Sequence, residues 1–206
     1  MIIGGRDASG TALKDIWAFD PLAKSWSEVG EIVSPAFGLA AAAVGNDVYV
    51  LGGKESGGLS SRFQKCSPHA GGYACEDITG GCPLELGQSV NEVGMSPRYR
   101  HSMFAVGGDN LYVYGGHESE VQGSGIIEVE LTHQAQGAAG DARVYNFDPA
   151  SCHWTVAMED LCKADGDSSP CVKYDGAAGP LEDGAFLHNY DHTGALGVPT
   201  VFTVPL

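Results

Sequence analysis

Basic residues are scarce in this chain: 11 Lys and Arg face 26 Asp and Glu over 206 residues, a formal charge of −15. Nucleic acid and anionic membrane surfaces both demand a basic face, so neither is an expected partner. No apolar run approaches the ~18 residues of a membrane span. A basic segment followed by an apolar one, the mark of a secretory leader, is not found at the N-terminus. The six cysteines include no Cys-x-x-Cys pair, so the usual zinc spacing is missing. There is no Gly-x-Ser-x-Gly elbow and no glycine loop opening a helix, which leaves nucleophilic catalysis and phosphate binding without support. What remains is an acidic chain long enough to bury a sizeable core.

Glycine, by contrast, is abundant, with 30 residues. Leu111-Tyr112-Val113-Tyr114 runs into Gly115-Gly116, and Val48-Tyr49-Val50-Leu51 runs into Gly52-Gly53. A short apolar run ending in a glycine pair reads as a β-strand stopped at a special backbone position. Ser34-Pro35 and Ser96-Pro97 open each unit, and Gly45-Asn46-Asp47 and Gly107-Gly108-Asp109-Asn110 supply hairpin turns. Gly4-Gly5 follows Ile2-Ile3 as a third pair, as though the first half of a unit were missing. A second signal marks the other half: Trp26 stands at the same distance from Asp20-Pro21 as Trp154 does from Asp148-Pro149. Ser67-Pro68 and Tyr73 keep that spacing with weaker residues. The order is strand, turn, strand, glycine pair, loop, strand, turn, strand with an aromatic.

Two ordered signals repeating at about fifty residues resemble the kelch repeat of β-propellers. Arg98 and His101 in Ser96-Pro97-Arg98-Tyr99-Arg100-His101-Ser102 also resemble the Arg-x-x-His opening of that repeat. The preceding unit departs from it with Ala36 and Leu39, and Tyr73 stands where a Trp is usual. The resemblance spans residues 2 to 156 and implies an all-β fold of about three four-stranded blades with a C-terminal remnant. Residues 1–206 are then one partial propeller, with blade one at 1–29, blade two at 34–93 and blade three at 96–158. The remainder, 159–206, reads as loop and a partial fourth blade, in which Val201–Val204 is the second strand. Met1 falls inside a blade, so the chain reads as incomplete and the missing leader says little about compartment, secretory or cytoplasmic.

Within this frame Gly52, Gly53, Gly115, Gly116, Trp26, Trp154, Arg98 and His101 are structural repeat positions. The tryptophans, with Tyr49 and Tyr112, are expected to pack blade against blade, and His101 to hydrogen-bond within its blade. The cysteines (66, 75, 82, 152, 162 and 171) are expected outside the core strands, where disulfides such as Cys162 with Cys171 would indicate an oxidising compartment. His188, Tyr190, Asp191 and His192 cluster without a standard metal spacing. Asp165-Gly166-Asp167-Ser168 lacks the later glutamate of a calcium loop. No metal ligand, catalytic residue or cofactor is assigned.

A propeller is a rigid frame whose loops carry function. The kelch resemblance implies a protein-interaction scaffold, with an unidentified protein as partner and self-association through open propeller edges as a second possibility. The expected contact loops are 54–61 and 117–140 after the glycine pairs, and 30–33 and 74–95 between blades. Lys54, Glu55, Arg62, His117, Glu118 and Glu120 are the candidate binding residues. The alternative is a segment of a secreted carbohydrate-active enzyme of this fold, a sugar oxidase or an epimerase, and a third is a disulfide-held adhesion segment. An oxidase would need tyrosine, cysteine and histidine ligands converging on copper, and no such set is defined by spacing.

Overall fold

The computed structural model describes residues 1–86, 89–92, 95–116, 143–158, 174–181, 184–190 and 200–204. Apart from one 3-10 turn, Thr79–Gly81, the described elements are all strands. The first blade holds β1 (Ile2–Arg6), β2 (Ala12–Asp20) and β3 (Ser25–Glu31), paired antiparallel in chain order. The second holds β4 (Ala40–Val44), β5 (Asp47–Leu51), β8 (Phe63–His69) and β9 (Gly72–Asp77), with β6 (Lys54–Glu55) and β7 (Gly58–Leu59) forming a small hairpin in the loop between β5 and β8. Two short strands follow, β10 (Leu84–Leu86) and β11 (Ser89–Glu92). The third blade is β12 (Ser102–Val106), β13 (Asn110–Tyr114), β14 (Val144–Asp148) and β15 (His153–Met158).

A last sheet contains β16 (Tyr174–Leu181), β17 (Gly184–Tyr190) and β18 (Thr200–Val204). This corrects the reading of the C-terminal region. The stretch around Asp175, read as loop, is strand, and Val201–Val204 lies in the third strand of its sheet. Glycine and proline interrupt β16, which hid its strand character. β4, β12 and β16 run beside one another, each the first strand of its sheet.

Neighbouring blades also join at their outer strands. β3 meets β9 in parallel at Gly30↔Tyr73 and Glu31↔Ala74, and β10 meets β15 in parallel at Leu84↔Trp154 and Glu85↔Thr155. In both cases the chain leaving one blade pairs with the fourth strand of the next.

At the opposite side of the strands the glycine pairs do the joining. Gly52 and Gly53 have φ of 65° and 96°. A Cβ on Gly52 would lie 2.5 Å from the Arg98 carbonyl oxygen, and the Gly53 N–H donates to that same oxygen at 2.8 Å. The preceding unit repeats the arrangement: a Cβ on Gly4 would lie 2.6 Å from the Ala36 carbonyl, which accepts from the Gly5 N–H at 2.9 Å. The backbone of the next blade's opening segment therefore seats on each glycine pair. Ala36 and Leu39, which depart from the Arg-x-x-His pattern, still serve because the contact uses main-chain atoms.

Two apolar layers lie between the blades. Ile16, Ile32, Ala36, Val48, Val50 and Cys66 fill the first. Tyr49, Leu51, Phe63, Phe147, Trp154 and their neighbours fill the second, where Phe63 lies 4.7 Å from Phe147 and 4.9 Å from Trp154, centroid to centroid. Trp154 is 1% exposed, as a blade-to-blade wedge should be, and Tyr49 and Tyr112 are buried. Trp26 departs from the expectation. It is 48% exposed and pairs with Phe19 at 5.1 Å on the face of blade one turned away from blade two. The register explains this: Phe19↔Trp26 matches Phe147↔Trp154, but no described blade precedes blade one to cover it.

Trp154→Ala is expected to cost ~3–5 kcal/mol, whereas Trp26→Ala should cost less than ~1 kcal/mol; chemical denaturation of the two variants compares them directly. Gly52→Ala should lose ~2–4 kcal/mol through strain and the clash with Arg98. Gly45→Ala is its control, since Gly45 has a φ of 59° but open space around the added Cβ, and should lose only ~1 kcal/mol.

Candidate functional site

The loop from 54 to 61 is built by its own sequence. Lys54-Glu55 and Gly58-Leu59 pair across the exposed tip Ser56-Gly57, and Lys54 also bridges Phe37 through reciprocal backbone bonds of 2.8 and 3.2 Å. Glu55 anchors the hairpin from below. Its carboxylate accepts from Ser34 Oγ at 2.8 Å, Ser60 Oγ at 2.7 Å and Arg62 Nε at 3.0 Å. Arg62 reaches on to Asp77, which is held in turn by Thr79 Oγ1 at 2.6 Å. Thr79 closes the circuit by accepting from the Phe63 N–H at 2.8 Å.

Three segments distant in sequence are thereby tied together: the passage from blade one to blade two, the loop after Gly52-Gly53, and the end of β9. Val33, Pro35, Ser56 and Gly57 are exposed around this anchor. Burial alone would raise the Glu55 pKa, but the bonds from Arg62, Ser60 and Ser34 outweigh it and hold the carboxyl below its ordinary range. Hydrogen bonding to Glu55 comes first among the causes that raise the Arg62 pKa. For Asp77 burial again opposes, and Thr79 and Arg62 together bring its pKa down.

Of the candidate binding residues, Glu55 and Arg62 are thus in direct contact with each other, and Lys54 is beside them on β6. Glu55 and Arg62 serve the internal brace and so position the loop. His117, Glu118 and Glu120 lie outside the described residues, as do most of loop 117–140, Cys162, Cys171, Asp165–Ser168, Asp191 and His192. His188 and Tyr190 are on β17. Among the described residues no group of three His, Cys, Asp or Glu is placed to share a metal ion.

Arg98 and His101 are both buried between blades two and three. Arg98 donates to the Gly115 carbonyl at 3.1 Å and to Ser96 Oγ at 2.7 Å, with its guanidinium over the Tyr145 ring at 5.2 Å. His101 packs against both glycine pairs: its Cε1 would lie 2.9 Å from a Cβ on Gly52, and its Cβ 2.7 Å from one on Gly116. The expected hydrogen bond within the blade is not made. The ring lies near the Leu51 backbone, yet neither nitrogen closes a hydrogen bond. Burial, then the charge of Arg98, lowers its pKa to about 3, so the ring is neutral at ordinary pH.

The cysteines hold the largest difference from the sequence reading. Cys66 is not in an insertion but in the middle of β8, fully buried, and is bonded to its cross-strand partner Cys75. Counted from the glycine pair, Cys66 matches Phe147, since Val48↔Cys66 repeats Leu111↔Phe147. The disulfide therefore occupies the row that holds Phe19–Trp26 and Phe147–Trp154 in the other blades, and Cys75 rather than Tyr73 stands at the tryptophan position. The β8–β9 ladder continues past Cys66↔Cys75 to His69↔Gly72 before its tight turn, whereas the ladder of blade one ends at Asp20↔Ser25, and this longer hairpin shifts the count by two. Cys82 bonds Cys152, joining the segment before β10 to the turn between β14 and β15. In chain-entropy terms this bond, across a sequence separation of 70, is worth ~4 kcal/mol, against ~2–3 kcal/mol for the 9-residue separation of Cys66–Cys75.

His101→Leu copies Leu39 at the matching place in the preceding unit and gives a pH test. The folded pKa lies below the 6.5 of the unfolded chain, so the unfolded state binds the extra proton as pH falls. Stability from this group is full above 6.5 and is lost progressively towards 3. The wild type should lose up to ~1.4 kcal/mol per pH unit from this source, and denaturation curves of the leucine variant between pH 7 and 4.5 should be flatter.

Residues 1–31 match the family described as Kelch motif. No curated protein matches the sequence. The matched stretch carries the Gly4-Gly5 pair, the Asp20-Pro21 turn and Trp26; the glycine pair recurs in blades two and three, and the Asp-Pro turn and tryptophan recur in blade three. The match to the Kelch motif over residues 1–31, together with four-stranded antiparallel sheets seated on glycine pairs, supports a kelch-type repeat and is consistent with a partial β-propeller.

Proposed function

We propose that this chain is a protein-interaction scaffold whose contact face is the end of the blades carrying the glycine-pair loops. One observation carries the reading: Glu55 draws the 30–37 passage, the 54–61 hairpin and, through Arg62 and Asp77, the end of β9 into a single braced surface. The brace engages Glu55, Arg62 and Asp77 and leaves Val33, Pro35, Ser56 and Gly57 facing outward. A surface of small and apolar groups on a rigid base suits contact with a protein segment, because little ordering entropy is spent on binding. Kelch repeats commonly serve as such platforms, which agrees with this reading. The two disulfides support maturation in an oxidising compartment. Because the described cysteines are bonded to one another, none of them offers a thiolate for a copper site.

A random peptide library displayed on phage and panned on the immobilised oxidised protein tests this reading. Selected peptides should lose at least ~10-fold in affinity to Val33→Glu and to Ser56→Arg, about 1.4 kcal/mol, while Leu22→Ser on the opposite turn leaves binding unchanged. Enriched peptides insensitive to both changes, or no enrichment at all, would remove the 30–61 surface as the contact face.

A further inference from the structure

The two disulfides are held in very different settings. Cys66–Cys75 lies in the middle of the β8–β9 hairpin, where five other register pairs align the same strands. Cutting it leaves that hairpin its full ladder. The segment bearing Cys82 has much less to hold it. β10 meets β15 over two pairs only, with one further bond from the Trp154 N–H to the Pro83 carbonyl at 3.0 Å. Its other neighbour is β11, in a hairpin of three pairs. Upstream, the Ile78 N–H donates to the Phe63 carbonyl at 2.8 Å, and this fixes where the segment departs from blade two. Strands this short are marginal without additional constraint. Leu84 and Cys82 are buried beneath the segment, so its position also decides what covers Trp154.

Access is asymmetric as well. Cys82 is fully buried, whereas Cys152 sits in the turn Pro149–Cys152, partly exposed and with a φ of 53°. Lys24 holds the matching left-handed position in blade one with a φ of 52°. The turn itself is kept by Asp148, which accepts from the Ala150 N–H at 2.9 Å and from Ser151 Oγ at 2.6 Å, and needs no disulfide.

We propose that Cys82–Cys152 is a redox latch: its cleavage by a dithiol frees residues 82–86 from the outer edge of the third blade while the blades stay folded. A thiolate of the dithiol attacks Sγ of Cys152, forming a mixed disulfide and expelling the Cys82 thiolate, which takes up a proton. The second thiol of the reductant then attacks its own sulfur in the mixed disulfide and releases Cys152 as a thiol. Two electrons pass to the protein, and the reductant leaves as a cyclic disulfide. With β10 gone, the outer edge of β15 has unpaired N–H and C=O groups, which can accept another strand. The latch stands apart from the peptide-contact reading, because its readouts are chemical and structural.

The test reduces the purified oxidised protein with graded dithiothreitol and follows it by differential alkylation and by amide hydrogen exchange, both read by mass spectrometry. Cys82 and Cys152 should become alkylated at lower dithiothreitol than Cys66 and Cys75. Exchange in 82–86 should then quicken by at least ~10-fold, with the Ile78 amide and the β4–β5 and β12–β13 amides unchanged. The double variant Cys82→Ser with Cys152→Ser should show the fast exchange with no reductant, and Cys66→Val with Cys75→Val should not. Reduction in the reverse order, unchanged exchange in 82–86, or loss of protection across all blades together would overturn the latch. Should the double serine variant not fold, the wild-type titration decides alone.

Discussion

The contact on which the structure depends is the close approach of one blade's opening backbone to the glycine pair of the blade before it. The Arg98 carbonyl lies where a side chain on Gly52 would be, and the Ala36 carbonyl lies where one on Gly4 would be. Both glycines are in the left-handed region, so two requirements coincide at one residue: a backbone geometry that L-residues resist, and space for a neighbour's main chain. Side-chain identity in the opening segment is then free to vary. Arg98 and His101 take the site in blade three and Ala36 and Leu39 in blade two, with the same main-chain bond closing both. The interchange also lets a buried, neutral histidine exist here, since its packing and not its hydrogen bonding is what the position asks for.

Around that contact each interface is closed twice, once by the glycine seat and once at the outer edge by a parallel pairing of a departing segment with the next fourth strand. The first closure is enforced by sterics and the second only by a few main-chain bonds. That difference explains where extra linkages have been placed. Cys82–Cys152 secures β10 at such an edge. The loop brace centred on Glu55 belongs to the sturdier, glycine-seated end.

Much of this was legible because glycine pairs and Asp-Pro turns are local signals with steric causes. Strands β5 and β13 are bounded by them, and the third and fourth strands of blades one and three are marked by an aspartate turn and a tryptophan. What the sequence concealed was pairing. Nothing local says that Cys66 faces Cys75, because the ladder of blade two runs on to His69↔Gly72 and moves the partner two residues beyond Tyr73, which keeps the tryptophan's spacing. Nor does the sequence say that Trp26 is uncovered, since an aromatic's burial depends on a neighbouring sheet and not on its own strand. The link from Glu55 to Ser34 and, through Arg62, to Asp77 is likewise invisible in the sequence, because it joins residues 21 and 15 positions apart. β16 is hidden because Gly176, Gly179 and Pro180 break the apolar alternation on which strand recognition rests.

The sulfur pair in the row of aromatics has a geometric consequence. Two cysteines fill far less volume than a phenylalanine with a tryptophan, yet each pair is the spacer between one sheet and its predecessor. Close packing leaves no slack for a void of that size, so the thickness of each wedge, and with it the angular step from petal to petal, is dictated by the filler chosen. The pitch of this propeller is therefore set locally, gap by gap, and a uniform rotation does not follow from the repeat.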